Sequence, residues 1–436
     1  MAKVTNKHVF GDPHHNKGFT IEIECDKDTF EDQCLLQAAK SIQDIFPVTS
    51  EFISETEIEP ISDTTIVSIF YPPPAHSKRP EWTTHRPIEI YMESIRKLAN
   101  LPVQVVIFVP PNLKDSIERL RPATHPLKAF WVVLSHFEEI WNVPFVGKNG
   151  RKDVFYTQQW DIDIQRYGNP HLYGVWNSKF YIIAEAVARN LWKSKYFVYA
   201  DAGIMKTDEI TEWCKPGKVE NVMNQMYFRD VATGKLDVPY NATCQDRVVV
   251  GMITPLTPTS HSCWNFSRLR PLMTHTFGSN IFFGTAAAMS RYAFAYMTFV
   301  EQQMLYHENN GGTFIGREEL NMAFMEAGAV GNRFRDLVVG VQTWREKTTT
   351  FRWTKMLHLL TENQEEWKSK GMHVLEDNKI EVVIPWKEEG QRDWSAYWKQ
   401  SSVEKDSRWH FDFNLNEDQW MDKYLLHDLA FMWSIP

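Results

Sequence analysis

Residues 180–203 read Phe-Tyr-Ile-Ile-Ala-Glu-Ala-Val-Ala-Arg-Asn-Leu-Trp-Lys-Ser-Lys-Tyr-Phe-Val-Tyr-Ala-Asp-Ala-Gly. The first half places Phe180, Ile183, Ala184, Val187 and Leu191 at i, i+3, i+4, i+7 and i+11, one face of a helix. A short polar turn, Trp192–Lys195, leads to five apolar residues, Tyr196–Ala200, which predict a buried strand that stops at Asp201-Ala-Gly203. A helix feeding a buried strand is half of a parallel α/β unit.

The other half lies upstream. Thr64–Tyr71 (TTIVSIFY) and Val103–Val109 (VQVVIFV) are short, nearly continuous apolar runs, each closed by prolines. Between them, Pro87 opens a stretch with Ile88, Tyr91, Ile95 and Leu98 on one face; after the second run, Leu113, Ile117 and Leu120 repeat the pattern. Strand, helix, strand, helix predicts a parallel sheet with right-handed crossovers. Downstream, Asn280–Phe283 reaches Gly284, a helix is expected from about Ser290 to Leu305, and another from Glu318 to Ala327 with Gly328 at its C′ position. Residues 1–60 read as an accessory region, 61–345 as the main domain, and 346–436 as an extension packing on it, with eight of the chain's 17 tryptophans.

Composition narrows the function. The chain of 436 residues carries a formal charge of −8, so a nucleic-acid binder driven by counterion release is disfavoured. No run of about 18 apolar residues is present to span a bilayer. The N-terminal residues lack the apolar core of a signal peptide, and the five cysteines are scattered with no C-x-x-C pair, which together predict a soluble, cytoplasmic protein. Phosphate-loop, dinucleotide, HExxH and GxSxG signatures are all missing.

Asp201 is the leading candidate site residue. Ligands of open α/β sheets bind beyond the carboxyl ends of the strands, and Ala202 and Gly203 are too small to block one there. A carboxylate so placed could hold Mg²⁺ or Mn²⁺ against a diphosphate. It could equally cap a following helix. The literal D-x-D triplets Asp26-Lys-Asp28 and Asp161-Ile-Asp163 compete, but neither directly follows an apolar strand preceded by a helix. From position alone, replacing Asp201 by Asn is expected to abolish transfer while leaving the thermal midpoint within a few degrees.

The order of segments resembles the HtrL/YibB-type (WlaTC-like) group of glycosyltransferases, of GT-A-like fold. The matching residues are 64–71, 105–109 with Arg119 and Arg121 after them, Asn169-Pro170-His-Leu-Tyr173, and above all Asn177-Ser-Lys179 through to Tyr199-Ala-Asp201-Ala-Gly203. The resemblance covers about residues 61–335 and implies an α/β, Rossmann-type nucleotide-sugar-binding domain. It implies a nucleotide-sugar donor, a glycan or glycoconjugate acceptor and a divalent cation, Mn²⁺ or Mg²⁺, at Asp201. Phe282-Phe-Gly284 resembles the turn that faces the donor sugar, and Glu318 and Glu319 the acidic motif that carries the general base of inverting members. Lys179, Arg119 and Arg121 are expected phosphate partners. A solvated lysine and two ordinary helix-end arginines are the alternatives. The strand end has one acid where most GT-A enzymes have two, so a non-catalytic nucleotide-sugar or glycan-binding protein is the alternative function.

Overall fold

The computed structural model describes residues 62–72, 88–125, 130–134, 170–205, 214–229, 235–240, 247–252, 277–293, 337–342 and 379–383, with single positions between them. Their element order is β1 (Thr64–Ile69), α1 (Ile88–Ala99), β2 (Gln104–Val109), α2 (Lys114–Glu118), β3 (Phe130–Leu134), α3 (Pro170–Arg189), β4 (Tyr196–Ala200), α4 (Lys218–Asn224), β5 (Met226–Arg229), β6 (Leu236–Pro239), β7 (Val248–Met252), β8 (Phe277–Thr285), β9 (Val338–Gln342) and β10 (Ile380–Val383). The expected α/β fold is present, built on one ten-stranded mixed sheet in the order β3-β2-β1-β4-β8-β7-β9-β10-β5-β6.

The first four strands are mutually parallel. The chain steps outward from β1 to β2 to β3, then returns to place β4 on the other side of β1. Two adjacent parallel strands whose crossovers leave in opposite directions open a crevice at their carboxyl ends. Here that crevice lies between the ends of β1 and β4. Strand β8 runs antiparallel to β4, so its first residues come to the same edge; the Asp201 N–H donates to the Asn280 carbonyl at 2.8 Å.

Each central strand is buried on both faces, which is why its sequence is apolar without alternation. One face holds Ile66, Val105, Ile107, Val109, Val198, Ala200, Ile281 and Phe283 against Ile95 and Leu98 of α1 and Val219, Val222 and Met223 of α4. On the other face α3 lies over β1 and β4, and its Phe180 stacks on Phe282 and Tyr296 and meets Tyr292 edge-on. Burying one such side chain contributes about 1.5–3 kcal/mol.

Several boundaries differ from the sequence reading. Helix α3 begins ten residues before Phe180, at Pro170, a residue suited to a first helical position. It ends at Arg189, so Leu191, expected on its apolar face, is 42% exposed. Asn190 follows at φ 32° and its amide bonds both Ser194 N–H and Ser194 carbonyl, closing the turn into β4. The expected helix near residues 113–120 is reduced to α2, with Ile117 its buried residue. A helical segment over 286–293 begins earlier than the expected Ser290.

The sheet also crosses the boundary placed at residue 345. Strand β10 pairs antiparallel with β9 and parallel with β5, while Met356, Leu359 and Leu360 join the core beneath α1 and α4. Part of the segment read as a C-terminal extension is therefore interior. The region 1–60 lies outside the described residues, as do the tryptophans of 346–436.

Candidate active site

Asp201 stands where its sequence position put it, one residue past β4 at the switch point of the sheet. Its backbone is held on two sides. The N–H is bonded to β8, and the carbonyl accepts from Ile204 N–H at 2.9 Å, making a turn. The Met205 N–H donates to Ser94 Oγ at 2.9 Å, tying that turn to α1. The helix-capping alternative does not describe this carboxylate, because its Oδ1 is engaged elsewhere. The Tyr199 hydroxyl donates to it at 2.7 Å, and Lys179 Nζ lies 3.2 Å from it.

The geometry of both contacts follows from elementary repeats. Tyr199 and Asp201 are i and i+2 on one extended chain, so both side chains leave the sheet on the face covered by α3. Lys179 precedes the end of α3 by ten residues, about 15 Å of helix rise. Asp201 lies five residues past Tyr196, about 16 Å of strand. Because α3 runs back against the strands before the chain re-enters β4, the two distances bring Lys179 level with Asp201.

Lys179 is buried, with 1% of its side chain exposed, whereas a third of the Asp201 side chain meets solvent. Its ammonium also donates to the carbonyl and hydroxyl of Ser279, each at 3.2 Å, and sits 5.5 Å from the centre of the Tyr199 ring. The solvated-lysine alternative is thereby excluded. Lys179 lies in the middle of α3.

The other expected site residues are not gathered here. Arg121 is buried, and its guanidinium donates to the carbonyls of Ala99, Leu101 and Val103. Those groups end α1 and lead into β2, so Arg121 sits at the amino-terminal edge of the sheet, opposite Asp201. Burial pushes its guanidinium down to about 10, and it remains charged at neutral pH. Arg119 is the exposed C-cap of α2 near the same edge. A phosphate role in this crevice does not fit either arginine. Gly284 pairs with Phe197 near the start of β4, again at the far edge. A Cβ there would stand 3.4 Å from Ala288 Cβ and from the Arg247 carbonyl, in close van der Waals contact with the packed sheet. Glu318 and Glu319 lie outside the described residues, as do Asp26, Asp28, Asp161 and Asp163.

The described residues by themselves do not assemble a site for a resident divalent cation. Among the described residues no three His, Cys, Asp or Glu side chains come together to hold a metal. The one carboxylate that the described residues place at this strand end already faces an ammonium. Sequence reasoning missed Tyr199 and Ser279 as partners. The two-residue spacing within the motif carried the first signal; Ser279 carried none, because its position depends on a strand pairing 80 residues away.

Fold and site together define an α/β protein with a polar cluster at its topological switch point, the place where open sheets of this kind bind ligands. Residues 62–219 match a family model described as "Bacterial protein of unknown function (HtrL_YibB)", a span that runs from β1 into α4. Over that span the resemblance drawn from the motifs holds. No curated protein matches the chain. Among solved structures it is similar to the mannosyltransferase Ktr4p from S. cerevisiae in complex with GDP. That alignment has 13% identity and a TM-score of 0.29, and covers 69% of this chain and 77% of that one. Among the described residues no helix is long and apolar enough to cross a membrane.

Proposed function

We propose that the chain is a glycosyltransferase of GT-A-like type, which moves a sugar from a nucleotide-sugar donor to a hydroxyl of a glycan or glycoconjugate. The observation that carries this reading is a polar, half-open carboxylate, Asp201, fixed by Tyr199 and Lys179 at the switch point of the sheet. In the transfer, an acceptor oxygen bonds to the anomeric carbon as the bond from that carbon to the diphosphate breaks. The acceptor proton goes to a base, and the nucleoside diphosphate leaves. Asp201 is well placed to orient donor hydroxyls in that step. In an inverting reaction, Glu318 or Glu319 is our choice of base.

The test is hydrolysis and transfer with a panel of UDP- and GDP-sugars, compared between the wild type and Asp201→Asn. Turnover abolished by the substitution supports the reading, and equal turnover in both proteins sinks the role of Asp201. The alternative, a nucleotide-sugar-binding protein without transfer, is favoured by the single acid at the strand end. Nucleoside diphosphate binding with no turnover of any donor would select it.

A further inference from the structure

We propose that the crevice at Asp201 takes its nucleotide ligand without a divalent cation, and that Lys179 is the positioning residue that makes this possible. The inference rests on the glycosyltransferase reading above and specifies how its donor site handles charge. One carboxylate oxygen is committed: Oδ1 accepts from the Tyr199 hydroxyl at 2.7 Å and pairs with the Lys179 ammonium at 3.2 Å. The other oxygen, Oδ2, takes no hydrogen bond from any described residue, and a third of the side chain is exposed. Asp201 therefore presents a single acceptor oxygen whose negative charge is already balanced from behind.

That arrangement suits a hydroxyl donor and opposes a cation. Mg²⁺ binds carboxylate oxygen at about 2.0–2.1 Å, so such an ion on Oδ2 would lie within about 7 Å of the ammonium. Like charges that close in a partly buried site repel strongly. Lys179 has no ready way to withdraw, because it sits mid-helix, 1% exposed, with Ser279 accepting from it twice. A neutral pair also answers the second need. A bare carboxylate at a diphosphate site repels the phosphates, which is the usual reason for an intervening metal. Here the repulsion is cancelled by a residue of the protein. The ammonium is too deep to touch the ligand and acts only through Asp201.

The experiment is calorimetric titration of the full chain with UDP and with GDP, in EDTA and in saturating Mn²⁺. The expected result is binding of at least one nucleotide with a Kd that agrees within about twofold between the two conditions. Binding that requires Mn²⁺ overturns the inference and leaves the glycosyltransferase reading standing. Binding in neither condition overturns both. Lys179→Met, checked for folding by circular dichroism, is expected to lose at least about tenfold in affinity in EDTA and to regain it with Mn²⁺. A folded Lys179→Met that stays indifferent to Mn²⁺ removes Lys179 from the role. Tyr199→Phe perturbs the same carboxylate oxygen but keeps the ammonium, so it is expected to remain indifferent to Mn²⁺. A general structural effect would make both variants behave alike. If Lys179→Met does not fold, the wild type and Tyr199→Phe still decide the matter.

Discussion

Replacing Asp201 by Asn should destabilise the fold as well as disable the site, contrary to the expectation from sequence position alone. Lys179 Nζ and Asp201 Oδ1 are 3.2 Å apart. At an effective dielectric of about 20, unit charges at that distance attract by about 5 kcal/mol, and at the value for water by about 1.3 kcal/mol. The lysine is buried and the aspartate one-third exposed, so the pair falls between these limits, at about 2–3 kcal/mol. The Asn amide oxygen still accepts from Tyr199, so what is lost is charge, and a buried ammonium is left beside neutral oxygens. In a chain of this size each kcal/mol lowers the thermal midpoint by about 2 °C, which predicts a fall of about 4–6 °C. The assay is a double-mutant cycle by thermal and urea unfolding of wild type, Asp201→Asn, Lys179→Met and the double variant. The double variant should recover most of the loss, with a coupling energy of about 2 kcal/mol. A midpoint for Asp201→Asn within about one degree of wild type, with coupling below about 0.5 kcal/mol, would refute the buried pair.

Three further outcomes are expected. Arg121→Gln should cost about 1–3 kcal/mol in urea unfolding, because the carbonyls of Ala99, Leu101 and Val103 lose a charged donor, yet leave nucleotide affinity unchanged. A weakened affinity in a fully folded Arg121→Gln protein would return this residue to the site. A chain ending at residue 345 should fail to give cooperative unfolding where one ending beyond residue 383 succeeds, because β10 lies inside the sheet. The Lys195–Glu220 pair holds the Glu220 carboxyl below its ordinary value, chiefly through its hydrogen bond from Lys195. Its contribution is present above the unfolded-state pKa and is lost as pH falls through the folded one. Both groups are about half exposed, so Glu220→Gln should cost at most about 1 kcal/mol at neutral pH and nothing at strongly acid pH; an unfolding series over pH checks it.

What was legible in the sequence was whatever local periodicity encodes. The limits of β4 and the buried runs at 64–71 and 104–109 could be read because central parallel strands are apolar on both faces. Asp201 was legible for the same reason, as the residue where such a run stops. Lys179 was legible by position but not by state. Nothing local says that a lysine ten residues from a helix end is buried, since burial depends on Ser279 arriving on an antiparallel neighbour. Arg121 and Gly284 were misplaced because short motifs carry no information about which edge of a sheet they reach. Strand β10 escaped notice because a four-residue run, Ile380–Val383, acquires meaning only from partners far away in sequence.

That last strand has a consequence for how the protein is born. Among the described residues, the hairpin of β5 and β6 joins the rest of the sheet through β10. Strand β10 is synthesised roughly 150 residues after β5 begins. At about 5–20 residues per second, a ribosome takes about 8–30 s to make that stretch. Throughout that interval the open side of β5 is unpaired, and that of β9 is unpaired from its own synthesis about 40 residues before β10, each a template for pairing with another nascent chain. The stitch that closes the sheet is among its last pieces to emerge, so the yield of native protein should depend on chaperones that hold those two edges apart until it arrives.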